Sequence, residues 1–72
     1  HHYQVLRMTT KARRVIQELF NAFVDNPRLL PPQYRDLAAH EGIARATADY
    51  IAGMTDRYSM KEHRRLFSVG EY

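Results

Sequence analysis

The chain has 72 residues, of which 44% are hydrophobic, and a formal net charge of +3 from eleven Lys and Arg against eight Asp and Glu. This length allows one small domain, which buries only about 60% of its unfolded surface and folds alone only marginally. No apolar run approaches the roughly 18 residues that a membrane span needs, and the cations are too few and too evenly spread to require nucleic acid. We therefore expect residues 1–72 to be a single region cut from a larger cytoplasmic protein.

The first predicted helix lies within the stretch "TTKARRVIQELFNAFVDNP", which starts at residue 9. Its apolar residues recur at i, i+4, i+7, i+8 and i+11 and form one narrow stripe. The stripe consists of Ala12, Ile16, Leu19, Phe20 and Phe23. Thr9 or Thr10 can cap the start of the helix, and Pro27 forces its end near residue 25. Glu18 lies opposite the stripe and is expected to face water.

A shorter helix is expected after a proline-rich connection. Pro32 is well placed to open it, because a proline at the first helical position loses no hydrogen bond, and the helix should run to His40. Its inner side is predicted to carry Tyr34, Leu37 and Ala38. Gly42 either ends this helix or bends the chain.

A second strong helix is predicted from Ile43 to Arg57. One of its faces holds six residues at helical spacing: Ile43, Thr47, Tyr50, Ile51, Met54 and Tyr58. Ser59 and Glu62 then match a capping box, which starts a short last helix. Its inward residues are expected to be Met60, Leu66 and Phe67. No strand pattern or repeat occurs, so the predicted fold is all-α with three to four helices.

The opposite face of the predicted 43–57 helix carries a polar stripe of Arg45, Asp49, Gly53 and Asp56. A glycine inside a helix costs about 1 kcal/mol relative to alanine, which is explained if another backbone or a ligand lies against the resulting notch. Asp56 near a helix C-terminus opposes the macrodipole and requires an external arginine, since the adjacent Arg57 points away. Docking against a missing domain is the favoured interpretation, ahead of contact with a nucleotide and of plain solvated surface.

The sequence lacks a complete catalytic site. It has no cysteine, and its serines are better explained as a cap and a tail residue than as nucleophiles. His1 and His2 are adjacent and are interpreted as chain-end residues, and no two of the four histidines have i, i+4 spacing. His40 and His63 are expected at the surface near helix ends. The three glycines form no phosphate-binding loop. We expect no catalytic residue and no metal ligand within residues 1–72.

Two stretches, "VLRMTTKARRVIQELFNAF" and "ADYIAGMTDRYSMKEHRRLF", resemble the C-terminal region of the bacterial deoxyguanosinetriphosphate triphosphohydrolase-like proteins, a group of HD-domain phosphohydrolases. The resemblance covers essentially the whole chain, and "DYIAGMTDRY…EHRRLF" is its specific part. It implies a parent hydrolase that converts a deoxynucleoside triphosphate (dNTP) and water to the deoxynucleoside and inorganic triphosphate.

The resemblance also implies where the chemistry lies. In that family a divalent metal, Mg²⁺ or Mn²⁺, is held by His and Asp ligands of the HD domain and activates the attacking water. This chain has no His-Asp dipeptide, so the HD domain is expected upstream of residue 1 and the fragment is expected to be inactive alone. The fragment would pack beside that domain and contribute to homo-oligomer contacts. Tyr3, Gln4 and Arg7 are candidate contacts for the base or the phosphates of the dNTP.

Two other classes of function stay open from the sequence. The first is a free-standing basic helical module that binds nucleic acid, supported by the arginine-rich composition and a sequence pI of about 9.6. Glu18, Asp49 and Asp56 interrupt the candidate basic faces, which argues against a surface that follows phosphates. The second is a helical protein-interaction domain that docks through its aromatic residues and exposes an apolar patch.

Overall fold

The computed structural model describes residues 9–68, which form four α-helices and one 3₁₀ turn. In chain order the elements are α1 (Thr10–Asp25), the 3₁₀ turn (Pro27–Leu29), α2 (Pro32–Glu41), α3 (Ile43–Ala52) and α4 (Asp56–Phe67). No strand occurs among residues 9–68, so the all-α prediction is confirmed. α2 and α3 pack closely against each other, and α1 packs against both α3 and α4.

α1 starts and ends where the sequence predicts. The Thr9 hydroxyl accepts a hydrogen bond from the amide of Ala12 at 3.0 Å, which satisfies one of the free amides of the first turn. The helix ends at Asp25, and Asn26 is its C-cap directly before Pro27, because proline cannot continue the hydrogen-bond ladder.

The buried face of α1 differs in part from the predicted stripe. Its buried residues are Val15, Leu19 and Phe23, which recur at i, i+4 and i+8. Ile16 and Phe20 were predicted to share that face, but both are only half-buried. The helix is thus turned so that Val15 enters the core and the Ile16 side lies at the margin of the packed region.

Gly42 alone joins α2 to α3. Its φ is +96°, in the region that side chains of L-residues rarely adopt. Its amide donates to the carbonyl of Ala38 at 2.8 Å, and its carbonyl accepts from the amide of Ala46 at 3.1 Å. A Cβ here would meet nothing within 4 Å, so the need for glycine is one of backbone conformation. Gly42 ends α2, as the sequence predicts, and begins α3.

A break at residues 53–55 is the largest difference from the sequence prediction. α3 ends just before Gly53, whose amide donates to the carbonyl of Tyr50 at 3.3 Å. Thr55 then caps α4, because its hydroxyl accepts from the amide of Tyr58 at 3.1 Å. The prediction of one continuous helix over residues 43–57 is therefore wrong.

α4 begins about one turn earlier than the capping-box pattern predicts. Ser59, the predicted cap, lies inside the helix, where its buried hydroxyl donates to the carbonyl of Asp56 at 2.8 Å. Glu62, the other member of the predicted box, is buried against α3 instead of turning back to an amide. Phe67 was predicted to pack inward, but it is 46% exposed.

The core is small and is built around one face of α1 and one tyrosine of α3. Its buried cluster consists of Val15, Leu19, Phe23, Leu30 and Tyr50. The Tyr50 ring meets Phe23 edge-on, with 5.4 Å between ring centroids, and lies 4.9 Å from the ring of Tyr34 on α2. Thr47 is also buried, and its hydroxyl has no hydrogen-bond partner within the described part of the chain.

Candidate functional site

Glu62 on α4 is a buried carboxylate, with 5% of its surface exposed. Arg65, one turn later, donates from Nε to Oε1 at 2.6 Å and from Nη2 to Oε2 at 2.9 Å. Tyr50 of α3 donates its hydroxyl proton to Oε2 at 2.9 Å. The hydroxyl of Tyr58 lies 2.8 Å from that of Tyr50 and completes the chain of hydrogen bonds. These four residues form the α3–α4 clamp.

The charges of the clamp are set by its own hydrogen bonds. The bonds from Arg65 hold the pKa of Glu62 below its ordinary value of 4.5, and they outweigh burial, which acts in the opposite direction. Burial first, and then the hydrogen bonds to Tyr58 and Glu62, raise the pKa of the Tyr50 phenol well above its ordinary value of 10.0. At neutral pH the clamp therefore joins a carboxylate, a guanidinium and the neutral phenol of Tyr50.

This arrangement suits a structural contact better than proton transfer. A general base needs a pKa near the working pH and access to its substrate. The pKa of Glu62 is lowered instead, and both of its oxygens already accept hydrogen bonds from Tyr50 and Arg65. The clamp therefore fastens α4 to α3 across the break at residues 53–55.

A second polar contact joins α4 to α1. Nε2 of His63 lies 2.6 Å from Oε1 of Glu18, and the His63 ring lies against Phe67 with 4.5 Å between centroids. All three residues line a surface cavity of about 310 Å³. The Glu18 side chain, predicted to face water, is 45% exposed, and that of His63, predicted at the surface, is 26% exposed. The contact between the two side chains was not predicted.

The break in the helix divides the predicted polar stripe. Arg45 and Asp49 remain on α3, where they form an exposed i, i+4 ion pair at 3.3 Å. Gly53 lies in the turn, and a Cβ there would be 3.8 Å from its nearest neighbour, which is an ordinary contact. Asp56 is the first residue of α4, where the macrodipole favours an anion. The predicted position of Gly53 inside a helix and the predicted position of Asp56 near a helix C-terminus are therefore wrong.

The remaining predicted site residues have separate locations. Asp56 and Arg57 line an exposed cavity of about 500 Å³ on α4, and Asp49 and Gly53 are not among its lining residues. The candidate nucleotide contacts lie outside the described residues. They are Tyr3, Gln4 and Arg7.

The described residues do not supply a metal centre. Among residues 9–68, no three His, Asp or Glu side chains converge in a way that could hold an ion. The divalent metal that the resemblance implies therefore does not fit the residues of this segment, and no reaction step through a metal is derived from them. None of the helices in this part of the chain is long and apolar enough to cross a membrane.

The α3–α4 clamp was missed from the sequence because Tyr50 and Glu62 are twelve positions apart and meet only after the chain breaks. A local signal for the break was present. A glycine stop, a threonine cap and an acidic first turn follow one another in "GMTD". A break assigned at these residues would have predicted two separate helices, α3 and α4, that can pack against each other.

The fold and its contacts define a small all-α helical module. A thin apolar core and two polar contacts hold its helices together. The chain belongs to the phosphohydrolase-associated domain family, which matches residues 1–65.

Three relatives named deoxyguanosinetriphosphate triphosphohydrolase-like protein show the extent of the similarity. The protein from Azoarcus sp. (strain BH72) is 71% identical over 70 residues, which cover 97% of this chain and 18% of the relative. The protein from Bordetella pertussis is 62% identical over 69 residues, which cover 96% of this chain and 18% of the relative. That from Nitrosomonas europaea is 51% identical over 70 residues, covering 97% and 18%.

The chain therefore spans about 18% of the length of these relatives. No solved structure matches it. The resemblance predicted from the two sequence stretches is confirmed over nearly the whole chain.

Proposed function

We propose that this chain is a supporting segment of a cytoplasmic, homo-oligomeric dNTP triphosphohydrolase, which converts a dNTP and water to the deoxynucleoside and inorganic triphosphate. The observation that carries the proposal is the match of nearly the whole chain to proteins of one name, of which it spans 18%. In this proposal the HD domain lies in the remaining length. A divalent ion bound there, Mg²⁺ or Mn²⁺, would lower the pKa of the attacking water and polarise the phosphoryl group.

The proposed role of residues 9–68 is to pack against that catalytic domain and to keep their own helices in fixed positions. The α3–α4 clamp supports this role, because a buried carboxylate with bidentate arginine contact gives α4 a defined orientation. The contact between His63 and Glu18 adds a second point of attachment, to α1. A surface carried on α1 and α4 would thereby be presented as one unit.

Two sets of residues extend the proposal toward binding. Near the start of the chain, the base or phosphates of the dNTP would be contacted by Tyr3, Gln4 and Arg7. The catalytic domain would be faced by Asp49, Gly53, Asp56 and Arg57.

The test is release of inorganic triphosphate from a panel of dNTPs by the full-length protein of the same gene in the presence of Mn²⁺. We expect release by the full-length protein, and none by the 72-residue chain assayed under the same conditions. Release by the 72-residue chain would contradict the supporting role. A full-length protein that hydrolyses no dNTP would contradict the proposed substrate class.

A further inference from the structure

Three neighbouring surface cavities lie along α1 and α4 and share lining residues. The first, of about 400 Å³, is lined by residues of α1 that include Ile16 and Phe20. The second, of about 160 Å³, shares Ile16 with the first and reaches Met60 on α4. The third, of about 500 Å³, shares Met60 with the second and opens on the outer face of α4. We call the three cavities together the α1–α4 groove. It has a floor of Ile16, Phe20 and Met60 and a rim of Arg57, Lys61 and Arg64, and Asp56 lines the second and third cavities beside this rim.

The floor of the groove is apolar and only partly covered. Ile16 and Phe20 stand one turn apart on α1, beside the buried face of that helix, and both are half-buried. Met60, in the second turn of α4, is half-buried as well and packs against the core. Further burial of these three side chains is favourable, and the flexible thioether of methionine can adapt to the shape of a partner.

The rim of the groove is cationic, and its like charges repel one another. Arg57, Lys61 and Arg64 follow at i, i+4 and i+7 on the exposed side of α4, where like charges at this spacing repel one another. Arg57 also lies in the first turn, where a cation opposes the macrodipole, and Asp56 offsets this only in part. Within residues 9–68, none of the three forms an ion pair with a carboxylate, unlike Arg45 and Arg65.

From these features we infer that the α1–α4 groove binds an acidic amphipathic segment of the same polypeptide, lying outside residues 1–72. This inference rests on the proposed function, in which the chain is part of a longer enzyme. The relatives are long enough to contain such a segment, since more than four fifths of each lies beyond the matched part. The positive charge of the rim indicates an acidic segment, whose carboxylates would neutralise the rim. Apolar side chains of the same segment would cover the floor.

A second copy of the same groove does not fit as the occupant. Two copies related by a two-fold axis would bring two cationic rims into one interface, and the chain as a whole carries a net charge of +3. Like-charge contact of that kind is unfavourable.

The sequence provides an internal control for a direct test, because its only two lysines are Lys61 in the rim and Lys11 outside the groove. A carbodiimide couples a lysine amine to a carboxylate in direct contact without adding a spacer. We would treat the full-length protein, mixed from light and isotopically heavy preparations, and identify the linked peptides by mass spectrometry. No carboxylate lies at i±3 or i±4 from Lys61. Asp56 lines the same cavity, so a link between Lys61 and Asp56 is the background expected from α4 itself.

The expected result is a link from Lys61 to an Asp or Glu outside residues 1–72, within one molecule, and no such link from Lys11. The variant Lys61→Arg, which keeps the charge but lacks the amine, should lose the link. No link at Lys61, links from Lys61 only to carboxylates of residues 1–72, or a link between light and heavy molecules would each overturn the inference.

A second pair of variants tests the apolar floor. Phe20→Ser should lower the yield of the Lys61 link more than about tenfold, as expected for loss of a central apolar anchor. Phe67→Ser, at an exposed aromatic outside the groove, should leave the yield unchanged. Equal yields in both variants would overturn the assignment of the floor. Hydrolysis of dNTPs by the untreated protein is measured separately. A protein that forms the Lys61 link but hydrolyses no dNTP would contradict the proposed substrate and leave the groove assignment intact.

Discussion

α1 and α4 both pack around Tyr50 of α3, but they are attached in different ways. α1 contributes Val15, Leu19 and Phe23, each no more than 5% exposed, and meets the edge of the Tyr50 ring. α4 reaches the hydroxyl end of the same residue through Glu62. Apolar packing depends on contact area and has little dependence on direction or pH. The hydrogen-bonded carboxylate depends on both, so one tyrosine is held by two forces that respond to different conditions.

The largest effect is expected from removing the apolar attachment. Phe23→Ala deletes a fully buried ring and should destabilise the region by about 3–5 kcal/mol. That is comparable to the total stability of a region of this size, so α1 and α3 should lose protection together. The measurement is hydrogen exchange of the amides of residues 9–68 in the full-length protein.

Phe67→Ala serves as the control for this variant, since Phe67 is 46% exposed and lies outside the core. Its effect should stay below about 1 kcal/mol. Retained protection of α3 in the Phe23→Ala protein would show that the apolar side is not the stronger attachment.

A smaller effect is expected from weakening the polar attachment. Glu62→Gln keeps the shape of the side chain but removes its charge, and hydrogen bonds to charged groups contribute about 1.5–3 kcal/mol. The loss of stability is expected at the lower end of this range, because the Arg65 side chain is 52% exposed and its charge is screened by water. Loss of protection should be concentrated in α4, with α1 largely unaffected. Equal loss in both helices would contradict the separation of the two attachments.

The same variant tests the pH dependence of the clamp. The pKa of Glu62 in the folded protein lies below its ordinary value of 4.5, so its contribution is fully present above about pH 4.5 and is lost as the pH falls through the folded pKa. Protection of α4 should therefore decrease on acidification in the unmodified protein and change less in Glu62→Gln. Asp49→Asn, which breaks the exposed pair with Arg45, is the matched control and should leave this profile nearly unchanged.

The smallest effects compare the two glycines that bound α3. Gly42→Ala should destabilise by about 1–2 kcal/mol, because φ is +96° and an L-residue is strained there. Gly53→Ala should be neutral or stabilise by about 0.4–1 kcal/mol, because its φ of −87° suits alanine and the added Cβ meets only ordinary contacts. Thermal unfolding of the two variants gives the comparison. A marked loss of stability in Gly53→Ala would contradict the assignment of Gly53 to an unstrained turn.

The sequence predicted those parts of the fold that local chemistry determines. The cap at Thr9, the stop at Pro27 and the glycine joint at Gly42 each depend on residues within a few positions. The break at residues 53–55 escaped, because the apolar spacing from Ile43 to Tyr58 continues in phase across it. A turn that preserves the helical period cannot be recognised from periodicity alone.

The candidate site was predicted less well than the fold, because its contacts are tertiary. Nothing near Glu62 in the sequence indicates that its partner is Tyr50, or that His63 meets Glu18 across 45 positions. The family resemblance was recognisable because it depends on whole stretches such as "DYIAGMTDRY", whatever their secondary structure.

The single-residue joint between α2 and α3 has a mechanical consequence. Two rigid helices meet at Gly42 with no loop between them, so two backbone torsions set the angle at which α2 leaves α3. Rotation about either torsion would displace the far end of α2 relative to α3. The hydrogen bonds of Gly42 with Ala38 and Ala46 oppose this rotation. Because the space around the Cα is empty, a side chain added there acts on the direction of a helix and not on the packing of a neighbour.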